Sequence, residues 1–362
     1  MKYEKINGYQ LTTPLSNVDA GFCKWGFAQK NGKEYFLKEF LKPKYPMDPS
    51  LFSPKQYQRM LTICKEYEEK RSRFFTALNE CMTGNVVTTA DFFRVKSRYY
   101  LTTEKIDAAS ISVEEIAGMS MEKRGIIAKV LVDSVRRLHE NGIVHGDLKP
   151  TNILIKHTKG GFYTAKLIDF DNSFFEHEAP KVGEEINGDM VYFAPEAILH
   201  INGEEVNITR KIDVFAIGVL FHQYFAGSLP KFDTSKNSYI SGAVLNGDEI
   251  VLAGKLPDAL QALIRQMLAK EPEDRPCLTV VFEQLDQIIS GRPPKDSGEA
   301  TVRKKEPVHP DLGKPVLKIR KKCDGCGNTY SATKYSSGKT IGECGCPAEI
   351  VKRTAFKKAG DL

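Results

Sequence analysis

One polar loop set between two apolar runs constrains this chain more than any other feature. The stretch 143–155 begins and ends with β-branched apolar residues, and between them it carries Asp147, Lys149 and Asn152. Such flanks are typical of buried strands, so we expect the three polar side chains at the mouth of a strand. A second apolar segment ends in Asp169, 17 residues after Asn152. The fold must therefore place several polar groups together at one edge of its core.

These residue types suit the transfer of a phosphoryl group. Asn152 and Asp169 offer oxygen ligands for Mg²⁺, which takes few protein ligands together with waters and phosphates. Asp147 can accept a proton from a hydroxyl group. Lys149 can neutralise charge on the phosphoryl group during transfer. The sequence thus predicts a metal-assisted phosphotransferase site.

Length and patterning predict a two-lobed fold with an appendage. At 362 residues the chain has room for about two domains. Short alternating stretches and an Asn31-Gly32 turn favour strands in the first hundred residues, and helical periodicity dominates from Met121 onward. We expect an α+β fold divided into a strand-rich lobe at 1–107, a helical lobe at 108–290, a linker at 291–315 and a small module at 316–362.

The motifs around the loop resemble the protein kinase superfamily, in its eukaryotic-like (Hanks-type) Ser/Thr branch. Tyr35-Phe36-Leu37-Lys38 resembles the third-strand lysine motif, and Phe193-Ala194-Pro195-Glu196 resembles the end of the activation segment. Asp213 matches the residue that braces the catalytic loop, and Arg275 matches the ion-pair partner of Glu196. The resemblance implies a bilobal fold with a small β-rich N-lobe and a larger α-helical C-lobe. It also implies ATP and Mg²⁺ as cofactors, with Mn²⁺ as an alternative metal.

The resemblance also implies roles for individual residues. Asp147, Lys149 and Asn152 would be catalytic, and Asn152 and Asp169 would bind Mg²⁺. The residues implied to bind the nucleotide are Gly21, Lys38, Thr103, Glu104, Ile106, Leu154 and Asp169. A glutamate on the predicted helix 54–78 would hold Lys38. Glu68 lies on the buried stripe of that helix and is preferred, with Glu66 and Glu69 as alternatives.

Several positions depart from the family pattern. The phosphate loop keeps one glycine, Gly21, so its backbone has less freedom to approach phosphates. Phe36 stands where a small alanine usually packs on adenine and is expected to reshape that pocket. Gly146 replaces the arginine before Asp147, Asp171 replaces the glycine after Asp169-Phe170, and Asp189 replaces a threonine usual in Ser/Thr kinases.

Two features that are missing from the family pattern lead to the same prediction about regulation. The arginine that pairs with a phosphorylated activation segment is missing, and residues 169–196 contain no threonine. Ser173 and Tyr192 are the hydroxyl residues of that segment. We therefore expect activity that does not depend on phosphorylation there.

Two other functions stay open on the sequence. Small-molecule phosphotransferases of the aminoglycoside and choline kinase type also have the sequences His-Gly-Asp and Ile-Asp-Phe-Asp in these loops. The Glu196–Arg275 pair and Lys149 favour the protein kinase, which would transfer the γ-phosphoryl group of ATP to Ser/Thr hydroxyls of proteins. A pseudokinase scaffold is favoured by the poor glycine loop and opposed by the retention of Lys38 and Asp147 with both metal ligands.

The C-terminal module carries four clustered cysteines, Cys323, Cys326, Cys344 and Cys346. Two close pairs in a chain with no visible secretion signal predict a structural Cys₄ zinc site, so the module resembles a zinc ribbon. Two reduced hairpin pairs without metal are the alternative. Because a unit this small has few large apolar residues, it needs a cross-link such as a bound metal ion in order to fold, which favours the zinc site.

Charge and composition limit the partners. Residues 316–362 hold ten Lys/Arg against four Asp/Glu, whereas residues 1–290 hold 36 against 38. A near-neutral body argues against binding nucleic acid over the whole surface, so we expect a protein substrate and a protein partner for the basic module. No apolar run reaches the twenty residues that a bilayer requires, which predicts a cytoplasmic protein without a membrane contact. The divergent loops resemble bacterial kinases more than animal ones.

Overall fold

The computed structural model describes residues 4–18, 23–81, 87–106, 110–158 and 160–291, together with the backbone of three strands between 315 and 341. The chain divides into two compact units, residues 1–293 and 294–362. Among the described helices, none combines the length and the apolar character needed to cross a bilayer.

The first unit begins with a six-stranded antiparallel sheet in the order β1-β2-β3-β4-β6-β5. Its strands are β1 (Lys5–Ile6), β2 (Tyr9–Leu11), β3 (Cys23–Lys30), β4 (Lys33–Phe40), β5 (Thr89–Val95) and β6 (Arg98–Glu104). Asn31 and Gly32 join β3 to β4 with φ of 54° and 77°, the left-handed values that a two-residue hairpin turn requires. The predicted hairpin is confirmed.

A long helix, α1 (Pro54–Glu80), interrupts the sheet between β4 and β5. It begins with a capping box, since the Gln56 amide donates to the Ser53 hydroxyl and the Gln56 side chain accepts from the Ser53 amide. Its 27 residues span about 40 Å at 1.5 Å per residue. The buried side chains of α1 are Cys64, Phe74, Phe75 and Leu78, and they hold the helix against the core.

The helical lobe packs around one buried helix. Its helices are α2 (Val113–Ala117), α3 (Met121–Glu140), α4 (Pro195–Ile201), α5 (Lys211–Ala226), α6 (Ile240–Asn246), α7 (Asp258–Met267) and α8 (Leu278–Ser290). In α5, 13 of 16 residues are buried. A helix that is apolar on all sides belongs in the interior, and α5 forms the buried centre of this lobe. The unit therefore has a small β-rich lobe and a larger helical one, as predicted.

Two short antiparallel ribbons lie on the helical lobe and frame the polar loop. They pair β7 (Ile143–Val144) with β10 (Phe174–Phe175), and β8 (Ile153–His157) with β9 (Tyr163–Leu167). The loop that carries Asp147 connects β7 to β8, and Asp169 follows β9. The predicted position of these residues at strand ends is confirmed.

In the second unit, β11 (Pro315–Lys322), β12 (Thr329–Tyr335) and β13 (Thr340–Ile341) form an antiparallel sheet in that order. Cys323, Cys326, Cys344 and Cys346 lie outside the described residues. The zinc site therefore stays a prediction.

Candidate active site

A cavity of about 260 Å³ lies between the sheet and the helical lobe. Seven residues predicted to bind nucleotide or metal line it, namely Lys38, Thr103, Glu104, Ile106, Asn152, Leu154 and Asp169. Gly21 lies outside the described residues. Residues from β4, β6, β8 and the segment after β9 thus converge although they are far apart in sequence.

Aromatic rings from the sheet form one wall of this cavity. Phe27 and Phe36 occupy paired positions on β3 and β4 and both line it. Trp25 stacks on Phe36 with ring centroids 5.7 Å apart, which fixes the Phe36 ring in place. Leu154 contributes another apolar group. The cavity suits a planar ring, and its volume is slightly below the range of about 300–1,000 Å³ usual for small-molecule sites, as expected for a bulky residue at position 36.

Lys38 is buried at the inner end of the cavity between two carboxylates. Its Nζ lies 2.7 Å from Asp169 Oδ1 and 2.8 Å from Asp171 Oδ2. Burial alone would lower the pKa of Lys38, but the charges of Asp171 and Asp169 outweigh burial and raise this pKa above its ordinary value. The lysine is therefore a fixed cation facing the site.

The expectation that Glu68 holds Lys38 is not met in this structure. Glu68 Oε1 instead accepts a hydrogen bond of 2.7 Å from the Tyr99 hydroxyl and lies 3.5 Å from Arg94 Nε. The alternatives Glu66 and Glu69 are exposed on the other side of α1. No described glutamate of α1 pairs with Lys38.

Arg71 is the residue of α1 that bonds the backbone of Asp171, whereas Phe75 and Leu78 of the same helix line the cavity. Arg71 Nη2 donates to the backbone carbonyl of Asp171 at 3.2 Å. Arg71 lies one turn after Glu68, about 4.5 Å further along the helix axis. Helical periodicity correctly gave the face of α1 that is turned inward, but it could not give the level at which α1 meets the segment after β9.

Asp147, Lys149 and Asn152 are brought together by hydrogen bonds. Asp147 Oδ2 lies 3.2 Å from Lys149 Nζ and 3.1 Å from Asn152 Nδ2. Asp147 Oδ1 accepts from the backbone amide of Asp189 at 3.1 Å. The replacement of threonine at position 189 therefore leaves a backbone group, rather than a hydroxyl, to orient this carboxylate.

Asp213 holds the loop from below, as expected. Its two oxygens accept from the backbone amides of His145 at 2.8 Å and Gly146 at 2.9 Å, and one of them lies 2.9 Å from His139 Nε2. Burial would raise the pKa of Asp213, but the hydrogen bond and charge of His139 together with the loop amides lower it. Asp213 therefore stays ionised and fixes the backbone directly before Asp147.

The glycine at position 146 has a steric cause. Gly146 has φ of 79°, and a Cβ atom there would lie 2.7 Å from the carbonyl oxygen of Asn172. Glycine is the residue that tolerates both constraints. The sequence indicated a missing arginine at this position, whereas the structure reveals close packing between the loop and the segment after Asp169.

The hydroxyl groups of the 169–196 segment are engaged inside the fold. Ser173 Oγ donates to the carbonyl of His145 at 2.6 Å. The Tyr192 hydroxyl lies 2.9 Å from Gln223 Oε1, and burial raises the pKa of Tyr192 to about 12.

Glu196 and Arg275 form the expected ion pair. Two parallel hydrogen bonds of 2.7 Å join them, and both side chains are almost fully buried. The pair connects the start of α4 to the loop before α8.

The donor set fits a magnesium ion bound together with phosphates. Asn152 directs its Nδ2 to the carbonyl and side chain of Asp147, which leaves its amide oxygen as the ligand atom. Asp169 lines the same cavity and has φ of 62°, a left-handed value that aspartate tolerates. Within the described ranges no three His, Cys, Asp or Glu side chains are grouped for a metal ion. Two protein oxygens are what Mg²⁺ requires when phosphates supply the rest.

A comparison with known families identifies the class to which this site belongs. The protein kinase domain model matches residues 55–285, and the chain belongs to the protein kinase family. It is 28% identical to the serine/threonine-protein kinase Pkn1 of Myxococcus xanthus over 263 residues, which is 70% of this chain and 37% of that protein. It is 30% identical to the calcium-dependent protein kinase 26 of Oryza sativa subsp. japonica over 197 residues, 53% of this chain and 35% of that one. The chain thus spans little more than a third of the length of these relatives.

Proposed function

We propose that this chain is an ATP- and Mg²⁺-dependent protein kinase that transfers the γ-phosphoryl group to Ser/Thr hydroxyls of protein substrates. One observation carries the proposal. Asp147, Lys149 and Asn152 form a single hydrogen-bonded group, and Asn152 also lines the cavity that holds Lys38 and Asp169. The loop residues proposed as proton acceptor and phosphate ligand are thus joined through Asn152 to the cavity that Lys38 and Asp169 line.

Each group has a defined task in this proposal. Asp147 orients the acceptor hydroxyl and accepts its proton. Lys38 and Lys149 hold phosphate oxygens, and Asn152 and Asp169 hold the metal. Magnesium, or manganese in its place, would neutralise charge on the phosphates when bound. Relatives named as serine/threonine kinases support Ser/Thr as the acceptor class.

The test is transfer from radiolabelled ATP to casein, followed by phosphoamino acid analysis. The wild-type chain is expected to label serine or threonine, and Asp147→Asn is expected to lose about 10²-fold or more of that rate because the proton acceptor is removed. Asp258→Asn serves as the matched control, since it removes a carboxylate from the exposed first turn of α7. Label on small molecules only would indicate the aminoglycoside kinase type, and no transfer at all would indicate a scaffold.

The C-terminal module is proposed to bind one zinc ion through its four cysteines and to bind a protein partner. The chain as a whole is proposed to be a cytoplasmic kinase. Zinc content of the full chain is expected near one ion per molecule and to fall in Cys326→Ser. Cys277→Ser is the control because Cys277 is an exposed thiol of the first unit. Equal zinc content in all three proteins, or none, would contradict the site.

A further inference from the structure

Helix α1 presents an arginine, and no described glutamate, to the segment that holds Lys38. Glu68 is bound to Tyr99, while Arg71 donates to the backbone carbonyl of Asp171. The Arg71 guanidinium also lies over the rings of Phe40, Tyr67 and Phe75 at 5.5 to 5.9 Å from their centroids. Bringing a helix glutamate to Lys38 would require breaking these contacts.

Lys38 already has two carboxylate partners in the segment after β9. Asp169 and Asp171 approach its Nζ at 2.7 and 2.8 Å. Asp171 stands where the sequence pattern indicated the loss of a glycine. Its side chain is 24% exposed, and the Asp169 side chain is 37% exposed. Asp171 is therefore the more enclosed of the two partners.

The two carboxylates cannot have the same role when metal and nucleotide bind. Asp169 is needed as an oxygen ligand of Mg²⁺, and a carboxylate oxygen engaged by a metal ion is a poorer partner for an ammonium group. Without a second anion, Lys38 and Mg²⁺ would compete for Asp169. Asp171 removes this competition because it keeps a charge-assisted hydrogen bond to Lys38.

We propose that Asp171 is the positioning residue of Lys38, in place of a helix glutamate, and that Arg71 couples α1 to it through the Asp171 backbone. The inference rests on the proposed function. Asp171 touches neither phosphate nor acceptor in this role and acts through the lysine. Its effect is to hold Lys38 toward the phosphates while Asp169 binds the metal.

The experiment compares the full-length wild type with Asp171→Asn, Asp171→Glu and the matched control Glu68→Gln. Asp171→Asn is expected to lower kcat/KM for ATP by about tenfold to a hundredfold, the size of one hydrogen bond between charged groups. It is also expected to raise the Mg²⁺ concentration for half-maximal activity, because Lys38 then remains on Asp169. Asp171→Glu should restore most of both, and Glu68→Gln should match the wild type.

Binding of a fluorescent ATP analogue, titrated with and without Mg²⁺, gives a readout that does not require phosphate transfer. Asp171→Asn is expected to weaken Mg²⁺-dependent binding in the wild-type background and to add nothing in a Lys38→Met background, since residues acting as a unit are not additive. Thermal unfolding of each variant separates a folding defect from this effect. If Asp171→Asn does not fold, the inference is tested by the other two variants. Asp171→Glu should retain most of the wild-type activity, and Glu68→Gln should match the wild type.

The inference is overturned if Asp171→Asn stays within twofold of the wild type, if its loss is the same with and without Lys38, or if Glu68→Gln causes the larger loss. A wild type that binds Mg·ATP with this pattern but transfers no phosphate would refute phosphoryl transfer, and only the positioning of Lys38 by Asp171 for nucleotide binding would stand. If the wild type transfers phosphate and substitution of Asp171 has no effect, the inference is refuted and the proposed function stands.

Discussion

Removal of Arg275 is expected to destabilise the helical lobe strongly. Arg275 is 1% exposed, and all five of its N–H donors are used. Two donate to the carboxylate of Glu196, and the other three donate to the backbone carbonyls of Ala269, Lys211 and Lys270 at 2.8 to 3.0 Å. The substitution Arg275→Ala would leave a buried carboxylate without its cation and three carbonyls without their donor.

The expected loss of stability follows from the burial of the Arg275–Glu196 ion pair. Breaking a buried ion pair by removing one partner costs about 3–5 kcal/mol. A folded domain is stable by only about 5–15 kcal/mol, so Arg275→Ala should remove roughly a fifth or more of the free energy of unfolding. With a urea dependence of about 2–3 kcal/mol per molar, the midpoint should fall by roughly 1 M or more.

Urea unfolding followed by circular dichroism is the assay. Lys65→Ala is the control, because Lys65 and Glu69 form an exposed ion pair at 3.8 Å that should contribute nothing measurable. The double variant Arg275→Met with Glu196→Leu should recover much of the loss, since neither charge is then buried alone. Unfolding of Arg275→Ala at the same urea concentration as the Lys65→Ala control would show that the buried pair does not stabilise the lobe.

Three further predictions concern the same unit. Gly146→Ala should unfold at a clearly lower temperature than Gly142→Ala, because both positions have positive φ but only the first has a carbonyl 2.7 Å from the new Cβ; equal losses would exclude the clash. His222 is held neutral, since Nδ1 donates to the Ser228 carbonyl and Nε2 accepts the Ala253 amide, and burial lowers its pKa. A depressed folded-state pKa gives stability that is present above about pH 6.5 and is lost as pH falls, so His222→Gln should flatten the fall in melting temperature between pH 7 and 5. Mass spectrometry of the active protein should find no phosphate between residues 169 and 196, and an activating phosphosite there would contradict the inward hydroxyl contacts.

Much of the site could be predicted because many of its residues lie close together in short segments of the sequence. The loop 143–155 carries its three functional side chains between two apolar strands, so local pattern alone placed Asp147 and Asn152 at a strand mouth. Asp169 was found by the same logic at the end of β9. The hairpin at Asn31-Gly32 followed from turn chemistry that acts over two residues.

The remaining contacts depend on how distant segments meet. Lys38 and Asp169 are 131 residues apart, and nothing in either segment states which level of α1 lies beside them. Periodicity therefore favours Glu68, although Arg71 is the residue that hydrogen-bonds Asp171 beside Lys38. The aspartate at position 171 could have given a signal, because a carboxylate in place of a glycine adds a partner for a buried lysine.

The attachment of Asp213 to the loop has a consequence for motion. Asp213 lies on α5, the most enclosed helix of the unit, and it holds the amides of His145 and Gly146. The backbone before Asp147 is therefore anchored to a buried helix, whereas Lys38 and the aromatic wall are carried by the sheet. A small rotation of the sheet would change how the proposed nucleotide is held and leave Asp147, the proposed proton acceptor, in place. Variants of β3 and β4 should therefore alter ATP affinity without altering the preference for the acceptor.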